Sequence, residues 1–199
     1  MNKKVFEMVG AVNDMELNSS DTVYGLWTNM INRCYNPTNL KRNPSYINTK
    51  VCKRWLLISN FYDFYINNYY EDFQLDKDLL KIGNNVYCPE YCVFVPQFVN
   101  LSIVFNKKSD SLLGTQKKGN RYIAHIGYNH KQYHLGSFMT ETEAHKAWQQ
   151  GKMRNFQEVA LRYKFECTYN FDSRVYDAII ERKNLISNDI KNNRVTLKY

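Results

Sequence analysis

The stretch Leu75 to Asn100, LDKDLLKIGNNVYCPEYCVFVPQFVN, holds the residues best spaced for chemistry, because it combines a candidate metal site with a compact strand-loop-strand-helix frame. Residues 74–80 read as a strand, Gly83-Asn84-Asn85 is turn chemistry, and residues 92–95 are a short apolar run rich in strand formers. Pro96 stands where a helix can begin, since its missing amide proton costs nothing at the first helical position. The plainer reading of Asp76, Lys77 and Asp78 is an exposed, charged strand segment.

With its Leu-Asp opening, Gly-Asn loop and closing asparagine, this stretch resembles the ββα-metal module of HNH nucleases in its phage and mobile-element branch. Members of that family cut or nick DNA. The resemblance implies that Asp76 and Asn100 hold one Mg²⁺ or Mn²⁺ against a scissile phosphate, a hard ion that neutralises charge developing there. The family's histidine base, directly after the first aspartate, is Lys77 here, and its central asparagine is Tyr91. Lysine serves as a base only when burial or neighbouring charge lowers its proton affinity. His125, His130, His134 and His145 all lie outside the module. Upstream, WxxMxxRCY at 27–35, VCxxW at 51–55 and a Phe-rich helix extend the resemblance back to Tyr24.

The frame around this stretch must come from a chain of 199 residues, enough for one or two domains with proper cores. Ser20 or Asp21 can cap a helix carrying Val23, Leu26, Trp27, Met30 and Ile31 on one face. Residues 1–19 lack periodicity and read as a mobile arm, and residues 36–46 read as a loop whose Lys41 and Arg42 could touch phosphate. Residues 56–70 place Leu57, Phe61, Phe64 and Tyr65 on one helical face. Cys34, Cys52, Cys88, Cys92 and Cys167 are odd in number and irregularly spaced, which argues against a disulfide framework. The first four could form a structural zinc site, although buried free thiols are the commoner outcome.

The net charge of +8 is concentrated in the middle third. Residues 109–165 carry 9 basic against 4 acidic side chains, whereas residues 1–108 carry 12 against 10. Double-stranded DNA is therefore the expected partner, and this segment is where it should sit. No apolar run approaches a membrane span and the N-terminus lacks a signal-peptide core, so a cytoplasmic location in a bacterial cell, infected or host, is expected.

In that basic segment, residues 112–116, 121–128 and 131–138 read as three antiparallel strands with a turn at Asn129-His130. Alternation puts Tyr122, Ala124, Ile126 and Tyr128 on one face with Tyr133 and Leu135. Thr140-Glu141-Thr142-Glu143 is a capping box opening a helix whose stripe runs through Ala144, Ala147, Trp148, Gly151, Phe156, Val159, Ala160 and Tyr163. Gly114, RYIAHI at 121–126, YHLGSF at 133–138 and TETEAHKAW at 140–148 resemble the APETALA or ethylene-response-factor type of DNA-binding domain. That family lays the sheet face away from its helix in the major groove. By register, the resemblance implies DNA contacts at Gln116, Lys118, His125, Gln132 and His134, with Arg121 adjacent.

The fold class expected is α+β: a helical N-terminal region with an HNH-like ββα module, a three-stranded antiparallel sheet on one helix, and a short C-terminal helical tail. The domain reading is 1–105 nuclease-like with its ββα core at 74–105, 106–111 linker, 112–165 DNA-binding, and 166–199 a helix at 173–183 with a loosely ordered end. Taken together, these features describe a phage-type homing endonuclease that binds duplex DNA site-selectively and uses Asp76, Lys77 and Asn100 to cut it. The alternative is a DNA-binding protein that keeps both folds without hydrolysis, as a regulator or antagonist of a host enzyme. A third reading is a protein-interaction module whose basic sheet meets an acidic surface.

Overall fold

The computed structural model describes residues 3–104, 111–128 and 131–199, and the chain divides into two compact units, Met1–Val95 and Pro96–Tyr199. The expected linker at 106–111, apart from Ser111, and the expected Asn129-His130 turn lie outside the described residues.

The first unit contains α1 (Lys3–Val9), α2 (Thr22–Tyr35), α3 (Pro37–Arg42), β1 (Lys50–Val51), α4 (Ile58–Asn68), β2 (Phe73–Asp76), β3 (Val86–Tyr87) and β4 (Val93–Pro96), whose last residue already belongs to the second unit. Its core combines aromatic and aliphatic side chains: Trp27, Trp55, Ile58 and Phe61 are almost fully buried. The Trp55 and Phe61 rings meet edge to face at 5.1 Å, and Trp27 Nε1 donates to Trp55 O at 2.7 Å, so the indole buries its surface without stranding its N–H. The strands are short and pair in two separate two-stranded sheets, β1 with β3 in parallel and β2 with β4.

Two expectations for this unit fail. The expected mobile arm at 1–19 fails over its described part, residues 3–19: Val5 and Phe6 of α1 are buried, Phe6 packs on Trp27 at 5.4 Å, and Val12 bridges Leu57. Residues 36–46 are not an open loop, because Asn36 caps α3 by accepting from the amides of Thr38 and Asn39 and Pro37 opens that helix.

The second unit holds α5 (Gln97–Ile103), β5 (Thr115–Lys118), β6 (Arg121–Tyr128), β7 (Lys131–Phe138), α6 (Glu141–Glu166) and α7 (Ser173–Lys191). The antiparallel sheet runs β5-β6-β7 and packs on α6. The capping box is complete, with Thr140 Oγ1 accepting from the Glu143 amide and the Glu143 carboxylate accepting from the Thr140 amide. Glu141 ties the helix start to the sheet by accepting from the Leu112 amide and the Thr115 hydroxyl. Gly114 has φ +71°, and a Cβ there would stand 1.8 Å from the Trp148 ring, so only glycine lets the chain turn under the indole. A Cβ on Gly151 would meet Leu135 at 2.9 Å, which makes this glycine the point of close approach between helix and sheet.

The C-terminal end is also not loosely ordered. The last helix runs eight residues beyond the expected 173–183, packs on α6, and is followed by a fastened tail. Thr196 and Tyr199 are buried, Gln149 Nε2 donates to Arg194 O at 2.9 Å, and Tyr199 Oη donates to Val104 O at 3.2 Å. Among the described residues, no helix is long and apolar enough to cross a membrane.

Candidate functional site

The outer face of the three-stranded sheet is built by register. The ladder pairs Gln116 with Ile123, Lys118 with Arg121, His125 with His134, and Gly127 with Gln132. Residues directly opposite in an antiparallel pair share a face. Buried Ala124 and Ile126 mark the side of β6 that meets α6, so Arg121, Ile123, His125 and Gly127 point the other way with their partners. Gln116, Lys118, Arg121, His125, Gln132 and His134 therefore share one face by register, and His125 and Gln132 also border a cleft that reaches Trp148 and Lys152 of α6. Arg121 is steadied there by donating to the Ser137 hydroxyl and carbonyl. Burial, and then the neighbouring His134, hold the His125 imidazole below the usual histidine range.

A bulge interrupts this ladder between Ala124 and His125, where Leu135 is an extra residue on β7. It allows Leu135 to face Gly151 of α6 while His134 faces outward. Tyr133, opposite Ile126, shares the helix side as expected but remains 46% exposed, so it contributes less to the core than its aromatic character suggests.

The stretch from Leu75 to Asn100 is arranged differently. Strand β2 stops at Asp76, short of the expected residue 80, because Asp76 Oδ1 accepts from the amides of Asp78 and Leu79 at 2.7 and 2.6 Å and turns the chain. Asp76 is 9% exposed, and burial raises its carboxyl above the usual range against the opposing pull of those two amides. Lys77 is 8% exposed: its ammonium donates to both Asp78 carboxylate oxygens at 2.7 Å and to Asn84 O at 3.3 Å, near the rings of Tyr46 and Tyr87. Asn84 closes the loop by donating from Nδ2 to Lys77 O and Val86 O. The reading of this segment as exposed is thus wrong for Asp76 and Lys77, since the loop folds over them. Asp76 lies in the first unit and Asn100, on α5, in the second.

Cys34, Cys52, Cys88, Cys92 and Cys167 are free thiols. Burial pushes Cys34 up to about 12 and Cys92 higher still. Among the described residues, no three His, Cys, Asp or Glu side chains gather as a metal-binding group. Lys41 and Arg42 form the last turn of α3.

Sequence reasoning missed four buried polar residues of α6, His145, Gln149, Lys152 and Asn155. His145 Nε2 accepts the Thr196 amide at 2.9 Å and Nδ1 lies 2.9 Å from Leu113 O, an arrangement that requires the neutral tautomer with its proton on Nδ1. Lys152 is buried, and Asn155 is buried with neither side-chain polar atom hydrogen-bonded. The signal for Lys152 was present in its spacing, four residues after Trp148 and four before Phe156, on the apolar stripe itself. No protein-family profile, no curated protein and no solved structure matches the chain.

Proposed function

We propose that the chain binds duplex DNA through the outer face of its three-stranded sheet. The supporting observation is the register that gathers two cations, two imidazoles and two amides on one face of the sheet, within the most basic part of the sequence. The major groove is wide enough to admit β-strands, and there glutamine reads adenine and arginine reads guanine, while lysine supplies phosphate affinity. Anisotropy of a labelled duplex against the full chain tests this. Binding should weaken with salt, and Lys118→Ala with Arg121→Ala should lower the salt slope by about 1 for each phosphate that is no longer neutralised. Lys117→Ala, on the helix side, should leave the slope unchanged. Absence of salt-sensitive binding would overturn the proposal.

Of the two readings of the first unit, the geometry around Lys77 favours the non-catalytic one over the homing endonuclease. A general base must present a lone pair to water, and an ammonium held by a carboxylate and a carbonyl does not. Asp76 Oδ1 already carries two backbone hydrogen bonds beside that ammonium. Within the first unit these residues do not fit the Mg²⁺ or Mn²⁺ site that the nuclease resemblance implies. Nicking of supercoiled plasmid with Mg²⁺ or Mn²⁺, with and without chelator, decides the matter. Chelator-sensitive cutting that disappears in Asp76→Ala would restore the endonuclease reading; no cutting is the expected result.

A further inference from the structure

We infer that the second unit contains a binding site for a small organic monoanion with an apolar body, whose acid group pairs with Lys152. The site is a cleft of about 440 Å³ within this unit, a size ordinary for small-molecule pockets. Phe98 and Leu101 of α5, Leu113, Ile126 and Trp148 give it apolar walls, and Leu101 and Val104 leave apolar surface exposed at its edge. Lys152 and Tyr199, with His125, Tyr128, Lys131 and Gln132 of the sheet, supply the polar part of the lining.

The inference rests on the uncompensated charge. Lys152 is 5% exposed, and its ammonium has one hydrogen-bond acceptor, Ser102 O at 2.5 Å, with the Phe156 and Tyr199 rings at 4.8 and 5.0 Å. Among the described residues no carboxylate pairs with it. A carbonyl and two ring faces neutralise only part of a desolvated cation, and an ammonium has three protons to donate. An acid group entering the cleft would meet the remaining donors, while its apolar body would displace water from the surrounding side chains. Burial holds the amine near 7, so at neutral pH the bare site is partly uncharged and an anion would draw in a proton on binding. The other titratable groups lining the cleft are His125, Tyr128 and Lys131 of the sheet and Tyr199 of the tail. Between pH 7 and 9 His125 stays neutral, so Lys152 dominates the titration in that window.

The test is fluorescence titration of the full chain with 8-anilinonaphthalene-1-sulfonate, beside its uncharged counterpart N-phenyl-1-naphthylamine. The expected result is saturable one-site binding of the sulfonate that weakens at least tenfold in Lys152→Met, with the uncharged dye unaffected. Leu101→Trp, which fills the cleft edge, should weaken both dyes. The affinity for the sulfonate in the parent chain should fall about tenfold between pH 7 and 9, and this dependence should vanish in Lys152→Met. Equal sulfonate binding by parent and Lys152→Met, or no saturable binding, overturns the inference and leaves Lys152 a structural lysine. Should Lys152→Met fail to fold, the pH titration of the parent decides, and a flat profile overturns it. DNA is absent from every arm, so the outcome is independent of the DNA-binding proposal.

Discussion

Each unit buries a lysine, and the two dispose of its charge in opposite ways. Lys77 sits in a loop that folds back on itself, so a carboxylate one residue away and a carbonyl seven residues away close on the ammonium. Lys152 sits in the middle of a long helix, where the backbone presents no spare carbonyl and the neighbours are set by helical spacing. It finds one carbonyl on α5 and two aromatic faces. A loop can thus assemble a counter-charge locally, whereas a helix interior depends on what other elements, or a ligand, bring to it. The same contrast runs through the units at large. The first is closed by side-chain hydrogen bonds over short strands; the second is rigid where α6 meets the sheet and open on the sheet's other face.

The largest effect should come from the rigid part of the second unit. Gly114→Ala adds a methyl where the Trp148 ring stands and forces a side chain onto positive φ, so a loss of about 5 kcal/mol is expected. Gly10→Ala in the first unit has the same backbone conformation with nothing within 4 Å, and should cost only about 1 kcal/mol. Chemical denaturation of both variants checks this, and equal losses would remove the contrast.

Next is pH. The folded proton affinity of Lys152 is depressed from 10.5 to about 7, so its unit is most stable at alkaline pH and loses stability as pH falls through that window, on the order of 5 kcal/mol in all. Asp76 has a raised folded value, so its contribution is full below 3.8 and is lost as pH rises through the folded value. Native-state hydrogen exchange should therefore show α6 amides gaining protection between pH 7 and 9, a gain absent in Lys152→Met. Unchanged α6 protection in the parent would show the ammonium to be better compensated than its contacts indicate.

A smaller effect belongs to the closed loop. Asp76→Ala strips the acceptor from two amides, one on fully buried Leu79, and should cost about 2 kcal/mol by thermal melt. The smallest contrast is at helix starts. Thr140→Ala removes half of a working capping box and should cost about 1 kcal/mol, while Asp21, whose side chain makes no cap bond to α2, should tolerate alanine with a change of a few tenths.

What the sequence made legible was whatever local pattern dictates. The limits of β6 and β7 and the capping-box start of α6 appear where the residues put them, although alternation in β7 breaks at Leu135. The face of Gln132 and His134 was also readable, because pairing across a short hairpin fixes it. Tertiary partners were not readable. The α1 helix exists because Phe6 reaches Trp27, and the tail is ordered because Thr196 reaches His145, contacts that leave no trace in periodicity. Nor could spacing show that Asp78 would occupy Lys77, since adjacent charged residues on an extended strand point apart until the chain turns.

The bulge at Leu135 also determines how β7 can change length. Because Gly136 pairs with Ala124 and His134 with His125, removal of Leu135 leaves every other pairing intact and turns the ladder regular. The damage is confined to the packing against Gly151. Deleting His134 instead would bring Leu135 opposite His125, onto the outer face and away from Gly151, while Lys131, Gln132 and Tyr133 keep their partners. The strand thus carries one dispensable letter, and removing its neighbour instead would turn an apolar side chain from the helix to the outward surface.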